Sequence, residues 1–355
     1  MSEPLLLTPG PVWLHPKIRE AMSKQIIYHR GREIEELISG LVSYIKKNMN
    51  CQDAFVLTGS GTTGWEFAFA NLCKKDEKIL CLSNGHFGEK LAKAASYFGN
   101  VIGYNLEANK GWSLERAKEK IDEASDATLF AMVYNETSTG VANHAKDVFS
   151  YAKNKGMITI CDAISAWGAM ELDMQSFGID FCISASQKAL GASPGLAIVG
   201  VSQEAMERAL SNKSTSYYLD MKIHAENMKK FQTPNTPAIS LMYGLQAAFE
   251  LCEERGGMSA NIERHRRGGE MARRFVKDIG YEVFAEEGFY SNTITAFLLE
   301  NADEVRRKLY EERNIVTARD FGAYRGRLFR ICHIGNFTEV DLGKAFEAIR
   351  EILGR

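Results

Sequence analysis

Short apolar runs alternate with longer amphipathic stretches through the first two-thirds of the chain, and this alternation restricts the possible folds most. Nearly continuous apolar runs are typical of strands that are buried on both faces. Strands separated by helices predict a mostly parallel sheet covered on both sides, an α/β fold. We place strands at 54–58, 78–83, 128–134, 157–162, 180–186 and 196–201, and helices at 34–48, 62–74, 89–98, 114–123 and 145–154.

The pattern changes after about Leu245. A mixture of helices and isolated strands follows a charged segment, which predicts a smaller α+β lobe in the last part of the chain. We place helices at 245–254, 302–313 and 339–353, and strands at 293–298 and 327–334.

Composition excludes several classes of function. The 43 basic and 45 acidic residues give a net charge of −2, so the chain as a whole has no electrostatic reason to bind nucleic acid or an anionic membrane. The seven cysteines include no CxxC pair, which argues against a disulfide framework and against a zinc site. The N-terminal segment lacks the basic region of a signal peptide, and no uncharged apolar run is long enough to span a bilayer. We therefore expect a cytoplasmic protein that binds no metal, nucleic acid or membrane.

Three motifs place reactive groups at the ends of predicted strands, where α/β sheets bind ligands. The segment TGSGTTGWE (58–66) follows a strand, forms a turn of small residues and begins a helix. It is either a phosphate-binding turn or a plain turn with a helix cap. Asp162 is the last residue of another apolar strand, and it is either a carboxylate paired with a cation or the cap of the next helix. Lys188 follows the next strand, as either an imine-forming amine or a surface lysine.

The three groups together match what pyridoxal phosphate requires. The turn takes the phosphate, and Asp162 takes the pyridinium nitrogen and keeps the ring protonated. Lys188 takes the aldehyde as a Schiff base.

The chain resembles the fold-type I pyridoxal-phosphate enzymes of aminotransferase class V, and within them the alanine–glyoxylate / serine–pyruvate aminotransferase branch. The motifs that carry the resemblance extend over nearly the whole chain in the order of the family. They are LTPGPV (7–12), YHRGREIEEL (28–37), SGTTGWE (60–66), NGHFG (84–88), NETSTG (135–140), CDAISAWG (161–168), SASQKALGASPG (184–195), TPNTPAISL (233–241) and LFRICHIGN (328–336).

This resemblance implies a large cofactor-binding domain with a mixed, mostly parallel sheet covered by helices, at residues 14–245. A smaller α+β domain would combine residues 1–13 with residues 246–355. The resemblance also implies a homodimer whose active site is shared between the two subunits.

Roles for single residues follow from the same resemblance. Lys188 matches the Schiff-base lysine, which also moves a proton during catalysis, and Asp162 matches the partner of the pyridine nitrogen. Arg330 matches the arginine that binds the substrate carboxylate with two hydrogen bonds. The other matches are cofactor contacts at Ser60, Gly61, Thr62, Phe87, Thr137 and Gln187, substrate contacts at Pro9 and Gly10, and cofactor contacts from the neighbouring subunit at Asn235 and Thr236.

Several nearby residues have simpler interpretations. Trp65 and Trp167 lie on helical stretches and are predicted to be core residues rather than cofactor contacts. Glu136 either orders its loop or faces solvent, and His29 either lines the substrate entrance or is an ordinary loop residue. The basic cluster 264–267 is typical of a solvated helix face.

The predicted activity is transamination in two half-reactions, from a small amino acid (alanine or serine) to a 2-oxo acid (glyoxylate or pyruvate). The alternatives are 2-aminoethylphosphonate–pyruvate, aspartate and phosphoserine transaminases. A cysteine desulfurase needs a mobile cysteine, and the segment before Arg330 contains none. A non-catalytic binding protein of the same fold is the alternative from another class, although Lys188, Asp162 and Arg330 are all present.

Overall fold

The computed structural model describes residues 3–320 and 322–355, which contain thirteen strands, thirteen α-helices and one short 3-10 helix (Gly322–Tyr324). The strands are β1 (Leu5–Leu7), β2 (Asp53–Thr58), β3 (Lys78–Ser83), β4 (Asn100–Asn105), β5 (Leu129–Val133), β6 (Asn135–Glu136), β7 (Val141–Ala142), β8 (Ile158–Asp162), β9 (Phe181–Ala185), β10 (Leu196–Val201), β11 (Ile294–Leu298), β12 (Ile315–Thr317) and β13 (Leu328–Cys332). The helices are α1 (Pro16–Met22), α2 (Arg32–Met49), α3 (Gly61–Leu72), α4 (His86–Ala95), α5 (Leu114–Glu123), α6 (Ala145–Asn154), α7 (Met174–Phe177), α8 (Gln203–Ser211), α9 (Met221–Met228), α10 (Ile239–Glu254), α11 (Gly257–Asp278), α12 (Ala302–Arg313) and α13 (Glu339–Leu353).

A seven-stranded sheet forms the centre of the fold, in the order β2–β10–β9–β8–β5–β3–β4. β10 runs antiparallel to both of its neighbours, and the other pairings in this sheet are parallel. The prediction of a mixed, mostly parallel sheet is therefore confirmed. Because β2, β3, β5, β8 and β9 point the same way, their carboxyl ends meet at one edge of the sheet.

Two hydrophobic cores cover the two faces of this sheet. Side chains alternate between the faces of a strand, and in β3 Leu80 and Leu82 pack in one core while Ile79 and Cys81 pack in the other. Helices α2, α5, α6 and α10 supply the first core, and α3, α4 and α8 supply the second. Burial on both faces explains why the strand sequences are almost continuously apolar.

A third core holds the C-terminal lobe together. It joins Leu7 of β1 to residues of α11, α12, α13, β11 and β13. β1 pairs with β12, so the first residues of the chain lie in the lobe that the last part of the chain forms. The division at residues 245 and 246 stays a prediction, and that position lies inside α10.

Three local predictions differ clearly from the structure. α10 begins at Ile239, six residues before the predicted start at position 245. α4 begins at His86, three residues before the predicted start at position 89. The basic cluster is only partly solvated, because His265 is fully buried and Arg264 donates hydrogen bonds to the carbonyls of Gly335 and Phe337. No helix in the part of the chain that the structure describes combines the length and apolar character of a membrane span.

Candidate active site

A cavity of about 240 Å³ opens at the edge where the parallel strands end. Its walls come mainly from the segments that follow β2, β3, β5, β8 and β9. Asp162 and Lys188 both line it, so the carboxylate and the amine that the sequence predicts for cofactor binding lie at the same cavity. The other lining residues are Ser60, Gly61, Thr62, Trp65, Phe87, Lys90, Val133, Asn135, Thr137, Ile164 and Gln187.

The turn between β2 and α3 suits a phosphate. The N–H of Ser60 donates to Thr63 Oγ1 at 3.2 Å, and α3 begins at the next residue. The first N–H groups of a helix have no acceptor within the helix and commonly bind anions. Gly61 is needed for packing, because a Cβ there would lie 2.3 Å from Ile164 Cδ1.

Asp162 is the last residue of β8 and is buried. Its Oδ1 accepts the N–H of Ile164 at 2.8 Å, and its Oδ2 accepts the indole N–H of Trp65 at 2.9 Å. Burial raises the pKa of this carboxyl to about 7, although both N–H donors lower it. The next α-helix begins only at Met174, so Asp162 is not a helix cap.

Lys188 lies in the turn after β9, and its Nζ donates to the carbonyl of Pro9 at 2.8 Å. Burial lowers the pKa of this amine to about 8, and the negative charge of Asp162 opposes that shift. Gly10 packs against the lysine with φ +121°, and a Cβ there would lie 2.8 Å from Lys188 Cδ and 2.9 Å from the carbonyl of Gln187. Lys188 is therefore not an ordinary surface lysine.

Glu136 orders the loop after β5, which decides between its two predicted positions. It is fully buried, and its Oε2 accepts the N–H groups of Phe87 and Gly88 at 3.0 and 2.9 Å. Its Oε1 accepts the N–H and the hydroxyl of Ser138 at 3.0 and 2.5 Å. Since Phe87 and Gly88 lie in the first turn of α4, the carboxylate fixes the helix that carries Phe87 into the cavity wall.

A polar cluster forms the wall beside Glu136. The hydroxyl of Thr137 lies 2.8 Å from that of Ser165, and the amide of Asn135 donates to Ser165 Oγ and to Thr293 Oγ1, both at 2.8 Å. These contacts fix the Thr137 hydroxyl in a wall of the cavity, and its contact with the cofactor ring stays a prediction.

Arg330 connects the C-terminal lobe to this site. It lies on β13, is buried, and donates from Nη1 to the carbonyl of Thr137 at 2.9 Å and from Nη2 to the carbonyl of Arg319. The guanidinium is thus held beside the loop that carries Thr137, although it is not part of the cavity wall described above.

Three predicted site residues lie away from this cavity within one chain. Asn235 and Thr236 line a separate small groove with Tyr218 and His224. His29 lies near them, because the neighbouring Arg30 donates to the carbonyls of Thr233 and Pro234 at 2.8 and 3.1 Å. A single chain therefore does not bring these residues together with Lys188.

Sequence reasoning missed part of the cavity wall. Trp65 is a buried core residue, as predicted, and it also lines the cavity and contacts Asp162 directly, which was not predicted. Lys90, one helical turn after Phe87, lies with its Nζ 5.8 Å from the centre of the Trp65 ring. Each of the two residues follows the start of a helix that begins at the cavity, but no local signal distinguishes Trp65 from an ordinary core residue. Trp167 is a core residue, as predicted.

A larger cavity of about 840 Å³ lies in the C-terminal lobe beside α12 and β12. Arginines and two aspartates line it, including Arg306 and Asp320, which pair with each other at 3.1 Å. None of the predicted site residues contributes to this cavity, so we assign the candidate site to the strand ends.

Comparison with known proteins identifies the family. Residues 19–317 match the family model described as Aminotransferase class-V. The chain belongs to the class V aminotransferases. It is 33% identical to an uncharacterized aminotransferase of Methanocaldococcus jannaschii over 95% of this chain and 89% of that one. It is 29% identical to a 2-aminoethylphosphonate–pyruvate transaminase of Bacillus cytotoxicus over 98% and 97% of the two chains. A crystal structure of an alanine–glyoxylate aminotransferase from Nostoc sp. superimposes with a TM-score of 0.94, at 25% identity, over 99% and 96% of the two chains.

These findings confirm the predicted fold type and the class of enzyme, a transaminase that uses pyridoxal 5′-phosphate. The donor set of the cavity fits that group. Besides the anion-binding turn, the amine and the carboxylate, two buried oxygens of the cavity wall, Gln187 Oε1 and Asn135 Oδ1, have no hydrogen-bond partner among the described residues. Both are acceptors that a ligand N–H or O–H would satisfy, and such atoms are costly to leave unpaired.

Proposed function

We propose that this aminotransferase moves the amino group of a small α-amino acid, alanine or serine, to glyoxylate or pyruvate in two half-reactions. The observation that carries the proposal is the common cavity of Lys188 and Asp162, with the turn at Ser60–Thr62 in its wall. When bound, pyridoxal 5′-phosphate supplies an aldehyde that takes up the amino group and a conjugated ring that delocalises charge from the substrate Cα.

Lys188 acts in this proposal as both the covalent anchor and the proton carrier. Its burial lowers the pKa of the amine to about 8, so a sizeable neutral fraction exists near neutral pH. A neutral amine is the form that attacks a carbonyl and that accepts a proton from a substrate Cα. The carbonyl of Pro9, 2.8 Å from Nζ, holds the amine when it is not covalently linked.

The other cavity residues hold and orient the cofactor. Asp162 would balance the charge of a protonated ring nitrogen, and Phe87 would pack on the ring face. The Thr137 hydroxyl would contact the phenolic oxygen of the ring. The turn at 60–62 and Gln187 would hold the phosphate.

Arg330 binds the α-carboxylate of the substrate with its planar guanidinium, and Pro9 and Gly10 position the N-terminal segment nearby. The bond from Nη1 to the carbonyl of Thr137 supports this role, because it fixes the guanidinium relative to the loop that holds the cofactor ring. The same cation cannot make that contact with an amine substrate that lacks an α-carboxylate.

We further propose a homodimer in which Asn235 and Thr236 of each subunit reach the phosphate of the other, with His29 at the entrance. The support is their position in one chain, where they lie on an outer groove with partly exposed neighbours such as Tyr218. A crosslink between Thr236→Cys and a cysteine at position 62 would form between subunits rather than within one.

The experiment is a screen of the first half-reaction. Single amino acids are added to the loaded enzyme and the change in cofactor absorbance is followed, and 2-oxo acids are then tested for restoring the original spectrum. Alanine or serine, with glyoxylate or pyruvate, should give the fastest changes. A spectrum that responds to none of the α-amino acids would refute the proposal.

2-Aminoethylphosphonate is the second candidate donor, because the Bacillus cytotoxicus relative with that named activity aligns over nearly the full length of both chains. It belongs in the same screen with pyruvate as acceptor. The variant Arg330→Ala separates the two substrates, since its effect should be large for a donor with an α-carboxylate. A faster response to 2-aminoethylphosphonate than to alanine or serine would favour the second candidate.

A further inference from the structure

Trp65 makes a contact that the roles above do not include. It lies on α3 one helical turn after Gly61, and the two residues therefore share a face of the helix. Its indole is 2% exposed, and its Nε1 donates to Asp162 Oδ2 at 2.9 Å. An indole N–H can only donate, so this bond requires a lone pair of the carboxylate.

The contact completes a rigid setting for Asp162. The N–H of Ile164 holds Oδ1 at 2.8 Å, and Trp65 holds Oδ2, so each oxygen has one fixed donor. The remaining lone pairs are available toward the cavity that Asp162 lines. One of these donors is a backbone group, whereas the indole is a side chain that can be exchanged.

The charge of Asp162 depends on these donors. Burial alone disfavours the ionised form, and the bonds from Ile164 and Trp65 act against it, with a resulting pKa of about 7. The other titratable groups around it are Glu136, which raises the pKa, Lys188, which lowers it, and the buried thiol of Cys161 on the same strand. Lys90 lies over the Trp65 ring at the same cavity.

α3 links two parts of the cofactor site. Its first residues form the phosphate-binding turn, and one turn later it presents the indole to the carboxylate. One helix therefore fixes the spacing between the turn that would bind the phosphate and the carboxylate that would face the ring nitrogen.

We propose that Trp65 is a positioning residue that orients Asp162 toward the cofactor ring nitrogen and favours its charged form. This inference rests on the proposed role of Asp162. Trp65 does not need to touch the reacting atoms, because it acts through the carboxylate.

The test compares Trp65→Phe with Trp112→Phe. The control removes another buried indole donor, which binds the carbonyl of Ser83 at 3.0 Å and does not line the cavity. Pyridoxal 5′-phosphate is titrated into cofactor-free protein by absorbance between pH 5.5 and 8.5 (about the range that brackets the Asp162 pKa).

Trp65→Phe should raise the half-saturating concentration about tenfold, the scale of one hydrogen bond to a charged group. Binding needs the neutral amine of Lys188 and the ionised carboxylate of Asp162, so it weakens as the pH falls through both pKa values. The Lys188 contribution is common to the two variants, so a difference between them reports the pKa of Asp162. Loss of the donor raises that pKa, so the pH at which binding weakens should move upward in Trp65→Phe and stay unchanged in Trp112→Phe. A merely structural role would weaken binding without moving this midpoint.

A second measurement needs no substitution at Trp65 and decides the question if Trp65→Phe does not fold. The chain has four tryptophans. In cofactor-free protein with ¹⁵N-labelled tryptophan, one indole resonance should titrate with pH, and it should stop titrating in Asp162→Asn. Four indole resonances that are all independent of pH, or a Trp65→Phe variant that binds like the control, would overturn the inference. A wild type that takes up no pyridoxal 5′-phosphate would instead overturn the proposed function.

Discussion

Replacing Glu136 by glutamine tests how the cavity wall is held in place. The carboxylate accepts four hydrogen bonds, two from the start of α4 and two from Ser138. An amide can accept on one side only. The less costly orientation turns its NH₂ toward Ser138, whose hydroxyl can rotate to accept, and this leaves the N–H of Ser138 without an acceptor.

The cost can be worked out from these contacts. One buried N–H left unpaired costs about 1–3 kcal/mol, and two bonds to a neutral oxygen instead of a charged one lose about 1 kcal/mol each. The sum is about 3–5 kcal/mol, and its lower end corresponds to roughly a hundredfold easier local opening. The backbone N–H groups of Phe87 and Gly88 are the ones whose hydrogen bonds weaken.

Hydrogen–deuterium exchange with mass spectrometry measures that opening. The peptide that covers residues 84–92 should exchange about a hundredfold faster in Glu136→Gln, and cofactor affinity should fall because Phe87 moves. Glu89→Gln is the matched control, since Glu89 is exposed on the same helix and loses only a dipole interaction of about 0.5 kcal/mol. Equal protection of this peptide in Glu136→Gln and wild type would refute the reasoning.

Three further outcomes are expected. Arg330→Lys should raise the KM for α-amino acids about tenfold or more with the cofactor still bound, because lysine cannot form the planar two-bond contact. Arg327 is exposed, so Arg327→Lys should leave the KM unchanged. Equal KM values for the two variants would remove Arg330 from the site. Gly10→Ala should slow cofactor uptake, measured as an absorbance time course, since its Cβ would lie 2.8 Å from Lys188 Cδ at a φ of +121°. A Cβ at Gly343 meets no atom within 4 Å, so Gly343→Ala should leave the time course unchanged. The rate of cofactor uptake by cofactor-free protein should rise with pH to a plateau with a midpoint near 8, because only the neutral Lys188 amine attacks the aldehyde; a rate that falls over this range would contradict the lowered pKa.

The sequence predicts the sheet and the chemistry at its edge because both depend on local signals. An apolar run that ends in a polar residue marks a strand and its carboxyl end, and parallel strands bring such ends together. Asp162, Lys188 and the turn at 60–62 were therefore predictable, and one cavity contains them all.

The missed features depend on contacts between distant parts of the chain. α4 starts at His86 because Glu136, about fifty positions later, accepts the N–H groups of its first turn. Trp65 has the pattern of a core residue, and only the folded arrangement directs its N–H to Asp162. His265 belongs to a charged run, but α11 packs within the C-terminal lobe, where His265 lies buried against Gly335 and Phe337.

The position of Cys332 bears on the cysteine desulfurase alternative. Cys332, the cysteine nearest to Arg330 in sequence, lies inside β13, and burial raises the pKa of its thiol to about 12. A reactive cysteine requires an accessible thiolate, so this residue does not suit the sulfur transfer of a desulfurase.

Reduction of the loaded enzyme with borohydride, followed by proteolysis and mass spectrometry, tests the central claim most directly. Reduction makes a covalent imine link permanent, so the account predicts one pyridoxyl group per chain, attached to Lys188, and none in Lys188→Ala. A label on a different lysine, or a chain that keeps no label although it binds the cofactor, would contradict it.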